Sequence, residues 1–129
     1  MKLPSVKTHI QIRYADLDPL EHVSNNVYGQ YFELGRIAWY EAILNKCPDT
    51  KIPTTVVVNV NIDFILEVRL DDVVYVTTTC TKKGNKSFQL TQDLFANGRL
   101  ATHSTIVMVG FNKVTRETCI PLSNWQPSK

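Results

Sequence analysis

Cysteine is scarce in this chain: Cys47, Cys80 and Cys119 are widely spaced and odd in number. No C-x-x-C pair occurs, so neither a zinc knuckle nor a dithiol redox motif is supported. We expect three reduced thiols in a cytoplasmic protein. Long apolar runs are missing too. The longest, residues 106–109, falls far short of the roughly 20 residues that span a bilayer. The N-terminal Met1-Lys2-Leu3-Pro4-Ser5 has no apolar signal core, which argues against export. No block of five like charges occurs and the net charge is only +2, so no nucleic-acid footprint is expected. The five glycines form no G-x-G-x-x-G phosphate loop, and no G-x-S-x-G nucleophile elbow is present. His9 and His103 have no partner spacing for a metal. We expect neither a metal nor a cofactor.

What is present is an ordinary globular composition, 43% hydrophobic and 20% charged, in a length that suits one domain. Residues 7–14 alternate polar and apolar, the mark of a half-buried strand. A polar loop follows Asp16, Asp18 and Pro19. Residues 27–46 then predict the one long helix. Tyr28, Tyr31, Phe32, Gly35, Ala38, Trp39, Ala42 and Ile43 recur at three- and four-residue steps and make a single apolar face. Ser24, Asn25 and Asn26 are good N-cap types upstream, and Pro48 ends the helix.

The remainder is strand-rich. Residues 54–61 are apolar and β-branched, and 62–64 either continue that strand or bend away. Further strands are expected over 73–81, 87–95 and 100–111. Lys83-Gly84-Asn85-Lys86 and Asn97-Gly98 supply hairpin turns between them. Hairpin-joined strands make an antiparallel sheet. One helix covers only one face of five strands, so the uncovered surface and edges call for a second copy of the chain. The tail from residue 115 is polar and proline-bearing, and is expected to be only partly ordered.

The chemistry concentrates in Tyr14-Ala15-Asp16-Leu17-Asp18-Pro19-Leu20-Glu21-His22-Val23-Ser24-Asn25-Asn26-Val27-Tyr28, followed by Tyr31-Phe32-Glu33 and Arg36. This segment resembles the 4-hydroxybenzoyl-CoA thioesterase branch of the hotdog superfamily, whose pattern runs aromatic-x-D-x-D-x-x-G-H-V-N-N-x-x-Y-x-x-Y-F-E. Asp71-Asp72 sits where that family has Gly-Asp. Lys82-Lys83-Gly84-Asn85-Lys86-Ser87-Phe88 looks like its second hairpin. The likeness spans about residues 7–112, leaving 113–129 as a C-terminal tail of a single domain, 1–129. It departs at Glu21, where the family has Gly, and at Ser24, where it has Asn. If the family's Gly needs a positive φ, Glu21 would force a different loop.

The resemblance implies an α+β hotdog fold, an antiparallel five-stranded sheet wrapped around one long central helix. It implies hydrolysis of acyl-CoA thioesters in a homodimer or homotetramer, with no membrane and no nucleic-acid partner. Asp18 becomes the catalytic carboxylate, as general base or as nucleophile. The backbone N–H of Asn25, at the positive end of the helix, becomes the oxyanion donor. Tyr14, His22, Ser24 and Tyr28 are placed around the substrate, and Lys82, Lys83, Lys86 and Ser87 at the coenzyme A phosphates.

Each residue has a plainer reading. Asp18 could cap its turn, and Asp16 faces solvent or caps the loop. Ser24 and Asn25 could be simple N-caps. Tyr28, Tyr31, Phe32 and Trp39 are helix core. Glu33 and Arg36 could form a solvent-facing ion pair or meet a second subunit. The lysines could be a solubilising turn. Two other functions stay open: an acyl carrier protein thioesterase, and a hotdog protein that binds acyl-CoA without turnover.

Overall fold

The computed structural model describes residues 2–50, 53–122 and 125–128. Strand β1 covers Val6–Ile10 and a single 3-10 turn covers Tyr14–Asp16. Helix α1 runs Tyr28–Lys46. Strands β2 Thr54–Phe64, β3 Val74–Lys83, β4 Ser87–Ala96, β5 Arg99–Phe111 and β6 Thr118–Cys119 follow. The sheet order is β1-β3-β4-β5-β2, with the two-residue β6 on β5, and every strand pair is antiparallel. The expected five strands are thus present, with β6 as a short addition. No described helix is long and apolar enough to cross a membrane.

Alternation explains β3 to β5. Val74, Val76, Thr78 and Cys80, then Phe88, Leu90, Gln92 and Leu94, are buried, and their neighbours are half-exposed. The Asn97-Gly98 turn has positive φ at both residues, 53° and 79°, as a tight right-twisting hairpin requires. The helix presents Tyr28, Tyr31, Phe32, Gly35, Trp39 and Ile43 to this core, and each large apolar side chain contributes about 2 kcal/mol by burial. Gly35 sets how closely the helix lies. A Cβ there would stand 2.9 Å from side-chain atoms of Val76, Thr78 and Gln92. The helix rests mainly over β1 and β3, and the inner face of β2 is only partly covered.

Four expectations need correction. The strand expected over 7–14 stops at Ile10, because the Asp16 carboxylate draws Arg13 into the 3-10 turn: it accepts the Arg13 N–H at 3.1 Å and its guanidinium at 2.7 Å and 3.0 Å. Asp16 does not face solvent; it is 1% exposed. The N-cap is Val27, with no side-chain capping bond, so Ser24, Asn25 and Asn26 cap nothing through their side chains. The described part of the tail is packed: Leu122 and Trp125 are buried, and Ser128 bonds to Cys80 and Pro4. Leu122 and Trp125 join the core, which the tail's polar composition hides, while Ile120 stays exposed.

Candidate active site

Asp18 opens a three-residue hairpin loop. Its N–H donates to the His22 carbonyl at 2.8 Å, and its own carbonyl accepts the Glu21 N–H at 2.9 Å. Pro19 presets the first turn residue. Glu21 occupies the last position with φ +64°, where this loop type asks for a left-handed residue and favours Gly. Glu21 takes this strained conformation itself. Asp18 Oδ1 accepts the N–H groups of Leu20 at 2.9 Å and His22 at 3.2 Å. The carboxylate is thereby aimed, and Oδ2 has no bond among the described residues.

Behind the loop, the segment after β2 forms a second wall. Val23 N–H donates to Val68 O at 2.8 Å, and His22 Nε2 lies 2.7 Å from Glu67 Oε2. Glu67 also holds Arg69 at 2.6 Å. From Ser24 the chain turns into the helix: Ser24 N–H reaches Asp16 O, and Val27 N–H reaches Ser24 O, both at 2.9 Å. Asn25 is exposed, and its N–H has no turn or loop backbone partner among the described residues. Such orphan donors sit at the positive end of the helix dipole.

Two adjoining cavities share Asp18 and His22. One, of about 500 Å³, is lined by Tyr14, Leu17, Leu20, Glu21, Arg69, Leu70 and Asp71. The other, of about 200 Å³, is lined by Val23, Asn25, Tyr28, Phe64, Ile65, Leu66 and Glu67. Asp18, Asn25, Tyr14, His22 and Tyr28 are therefore brought together. Ser24 lines neither cavity; it shapes the turn. Tyr14 is 82% exposed and Tyr28 only 2%, and the Tyr28 ring packs edge-on against Phe64 at 5.2 Å.

The lysine hairpin is not part of this constellation. Lys82, Lys83, Gly84 and Ser87 line a separate cavity of about 350 Å³. They lie at the far end of β3, whose length is about 30 Å, from the end where Asp71 borders the Asp18 cavity. The Glu33–Arg36 ion pair does not form either; the Arg36 guanidinium donates to Gln92 Oε1 at 3.1 Å. Glu67 and Arg69 are the site residues the sequence does not announce. The nearby Asp71-Asp72 was a signal for the position, with nothing to say that the preceding charges face the loop.

A long helix packed against the inner face of an antiparallel sheet in this strand order is a hotdog fold. The thioesterase superfamily matches residues 20–102, more than half of the chain and beginning just past Asp18, and the chain belongs to that family of thioester hydrolases. Among solved structures it is similar to a thioesterase from Thermus thermophilus complexed with coenzyme A and zinc. That match has 26% identity over 94% of this chain and 93% of the other, with a TM-score of 0.79. A DHNA-CoA thioesterase from Staphylococcus aureus matches at 20% identity, covering 93% and 82%, with a TM-score of 0.77. A 4-hydroxybenzoyl CoA thioesterase mutant complexed with 4-hydroxybenzoyl CoA matches at 17% identity, covering 90% of each chain, with a TM-score of 0.76. Comparison with curated proteins gives no match. Among the described residues of this chain, no group of three or more His, Cys, Asp or Glu is placed to hold a metal ion.

Proposed function

We propose that this protein hydrolyses acyl-CoA thioesters to a free carboxylic acid and coenzyme A. The observation that carries the reading is that Asp18 and Asn25 line one cavity at the start of the helix. A thioester carbonyl oxygen at the Asn25 N–H would be polarised there as negative charge develops. Asp18 takes a proton from water as the water oxygen bonds to the carbonyl carbon. The tetrahedral intermediate collapses, the C–S bond breaks, and the proton held by Asp18 passes to the departing thiolate. The alternative route uses the same geometry: Asp18 attacks the carbonyl, coenzyme A leaves, and water hydrolyses the resulting anhydride. Cysteine nucleophiles have little support, since burial pushes the Cys80 thiol up to about 11 and Cys47 and Cys119 line neither cavity.

The working unit in this reading is a cytoplasmic homodimer, or a tetramer of two dimers. Edge strand β2 is 11 residues long and exposes Val56, Val57, Val58 and Val60, a surface that a lone chain would not leave uncovered. Lys82, Lys83, Lys86 and Ser87 lie too far from Asp18 of their own chain, so they would meet coenzyme A phosphates bound at another subunit. Within the Asp18 cavity, Arg69 is the nearer cation for that role. Changing Val57 and Val60 together to Asp should give a monomer by light scattering and abolish activity with Asp18 intact; an active monomer would contradict the dimer.

The direct test is free-thiol release from a panel of acyl-CoAs, with acyl carrier protein thioesters in competition. Turnover of coenzyme A thioesters is expected. Preference for the carrier protein would change the donor, and tight binding without release would favour a binding protein.

A further inference from the structure

Arg36 carries a charge with no ion-pair partner among the described residues. It is half-buried. Burial pushes its pKa down, offset in part by Tyr40 and by Glu33, which is exposed. Its guanidinium donates to Gln92 Oε1, leaving most of its five N–H donors for something else. Gln92 is held for this contact. It is fully buried, and its Nε2 donates to the Phe32 carbonyl at 2.8 Å and to Thr78 Oγ1 at 3.0 Å. Its Oε1 is thereby turned toward Arg36.

The position of this pair follows from the sheet register. Gln92 pairs with Ser104, which pairs with Ile62 on β2. One step nearer the catalytic loop, Leu94 pairs with Thr102, which pairs with Phe64, the cavity residue against Tyr28. Two residues along a strand are about 7 Å. The Arg36–Gln92 level thus lies about one acyl segment inward from the carbonyl position. The β2 face at these two levels, with Ile62 and Phe64, is only partly covered. Ser104 Oγ, in the same row, is buried with no hydrogen-bond partner among the described residues.

We propose that Arg36, positioned by Gln92, is the specificity determinant of the acyl channel and takes acyl groups that end in a carboxylate. The inference rests on the acyl-CoA reading above. A distal carboxylate would supply the missing counter-charge and accept two guanidinium N–H bonds, while the aliphatic stem lies on Ile62 and Phe64. A terminal methyl group would leave the guanidinium unmatched.

The test uses coenzyme A thioethers, which cannot be hydrolysed, with alkyl chains of equal length ending in carboxylate or methyl. Affinities are measured by calorimetry for the wild type and Arg36→Met. The wild type should favour the carboxylate form by at least about tenfold, the lower end for charged hydrogen bonds. Arg36→Met should lose that preference and keep its affinity for the methyl form. No preference in the wild type would overturn the proposal, and that readout needs no variant. Preference surviving in Arg36→Met would also overturn it, as would dissociation of Arg36→Met into monomers, which would make Arg36 an interface residue. Thiol release from the matching thioesters is read separately. Its absence beside an intact carboxylate preference would remove the hydrolase reading and leave the subsite standing.

Discussion

The Tyr31 hydroxyl donates to Asp16 Oδ2 at 2.7 Å, joining the first full turn of the helix to the turn before the Asp18 loop. Burial works to raise the Asp16 pKa, but the bonds from Arg13 and Tyr31 outweigh it and hold the carboxyl below its usual 3.8. Burial, with Asp16 beside it, raises Tyr31 in turn. The nearer carboxylate of the motif is thus structural, which separates it from Asp18.

A depressed carboxyl stabilises the fold in its ionised form. That contribution is full above the unfolded value near 3.8 and is lost as pH falls through the lower folded value. Asp16→Asn should lower stability at neutral pH by about 2 kcal/mol and flatten the acid limb below pH 4. Urea unfolding across pH measures both. An unchanged acid limb would remove Asp16 from this role.

Glu21 holds φ +64°, a conformation that costs a side-chain-bearing residue about 1 kcal/mol. Glu21→Gly should leave the loop intact and raise stability by up to about 1 kcal/mol, partly offset by the greater freedom of Gly when unfolded. Glu21→Val should lower it, because a β-branched residue resists positive φ. The order Gly, Glu, Val in urea midpoints is the expected result, and a reversed order would contradict the loop geometry.

Asn25 is proposed to act through its backbone. Asn25→Ala should change kcat by no more than a few-fold. Asn25→Pro removes the N–H just before the helix, where proline is tolerated, and should lower kcat by about 10² to 10³ with the far-UV spectrum unchanged. Equal effects of the two variants would shift the role to the side chain.

Much of this could be read from local pattern. The helix over residues 27–46 needed only its apolar spacing, and the Asn97-Gly98 hairpin only its turn chemistry. The gathering of Asp18, His22, Asn25 and Tyr28 was legible because they lie within one short segment. What was not legible depends on long-range packing. The 3-10 turn at Tyr14–Asp16 arises from one carboxylate overriding an alternating strand pattern. The wall made by Glu67 and Arg69 comes from far along the chain. The Arg36 contact with Gln92 replaces a local ion pair with a partner 56 residues away. The lysine hairpin lies at the opposite end of β3 from Asp18 of the same chain because strand length and direction, which a motif does not carry, decide which turns meet.

The central claim is that Asp18 performs the hydrolysis. Its Oδ1 already serves the loop, and Asn at this position can keep those acceptor bonds while losing the charge. The most direct measurement is therefore free-thiol release by wild type and Asp18→Asn, side by side on the acyl-CoA panel, with both confirmed to be folded and in the same oligomeric state. The account predicts turnover by the wild type and a loss of at least about 10²-fold in the variant. Wild-type rates in Asp18→Asn on a substrate the wild type turns over would contradict it.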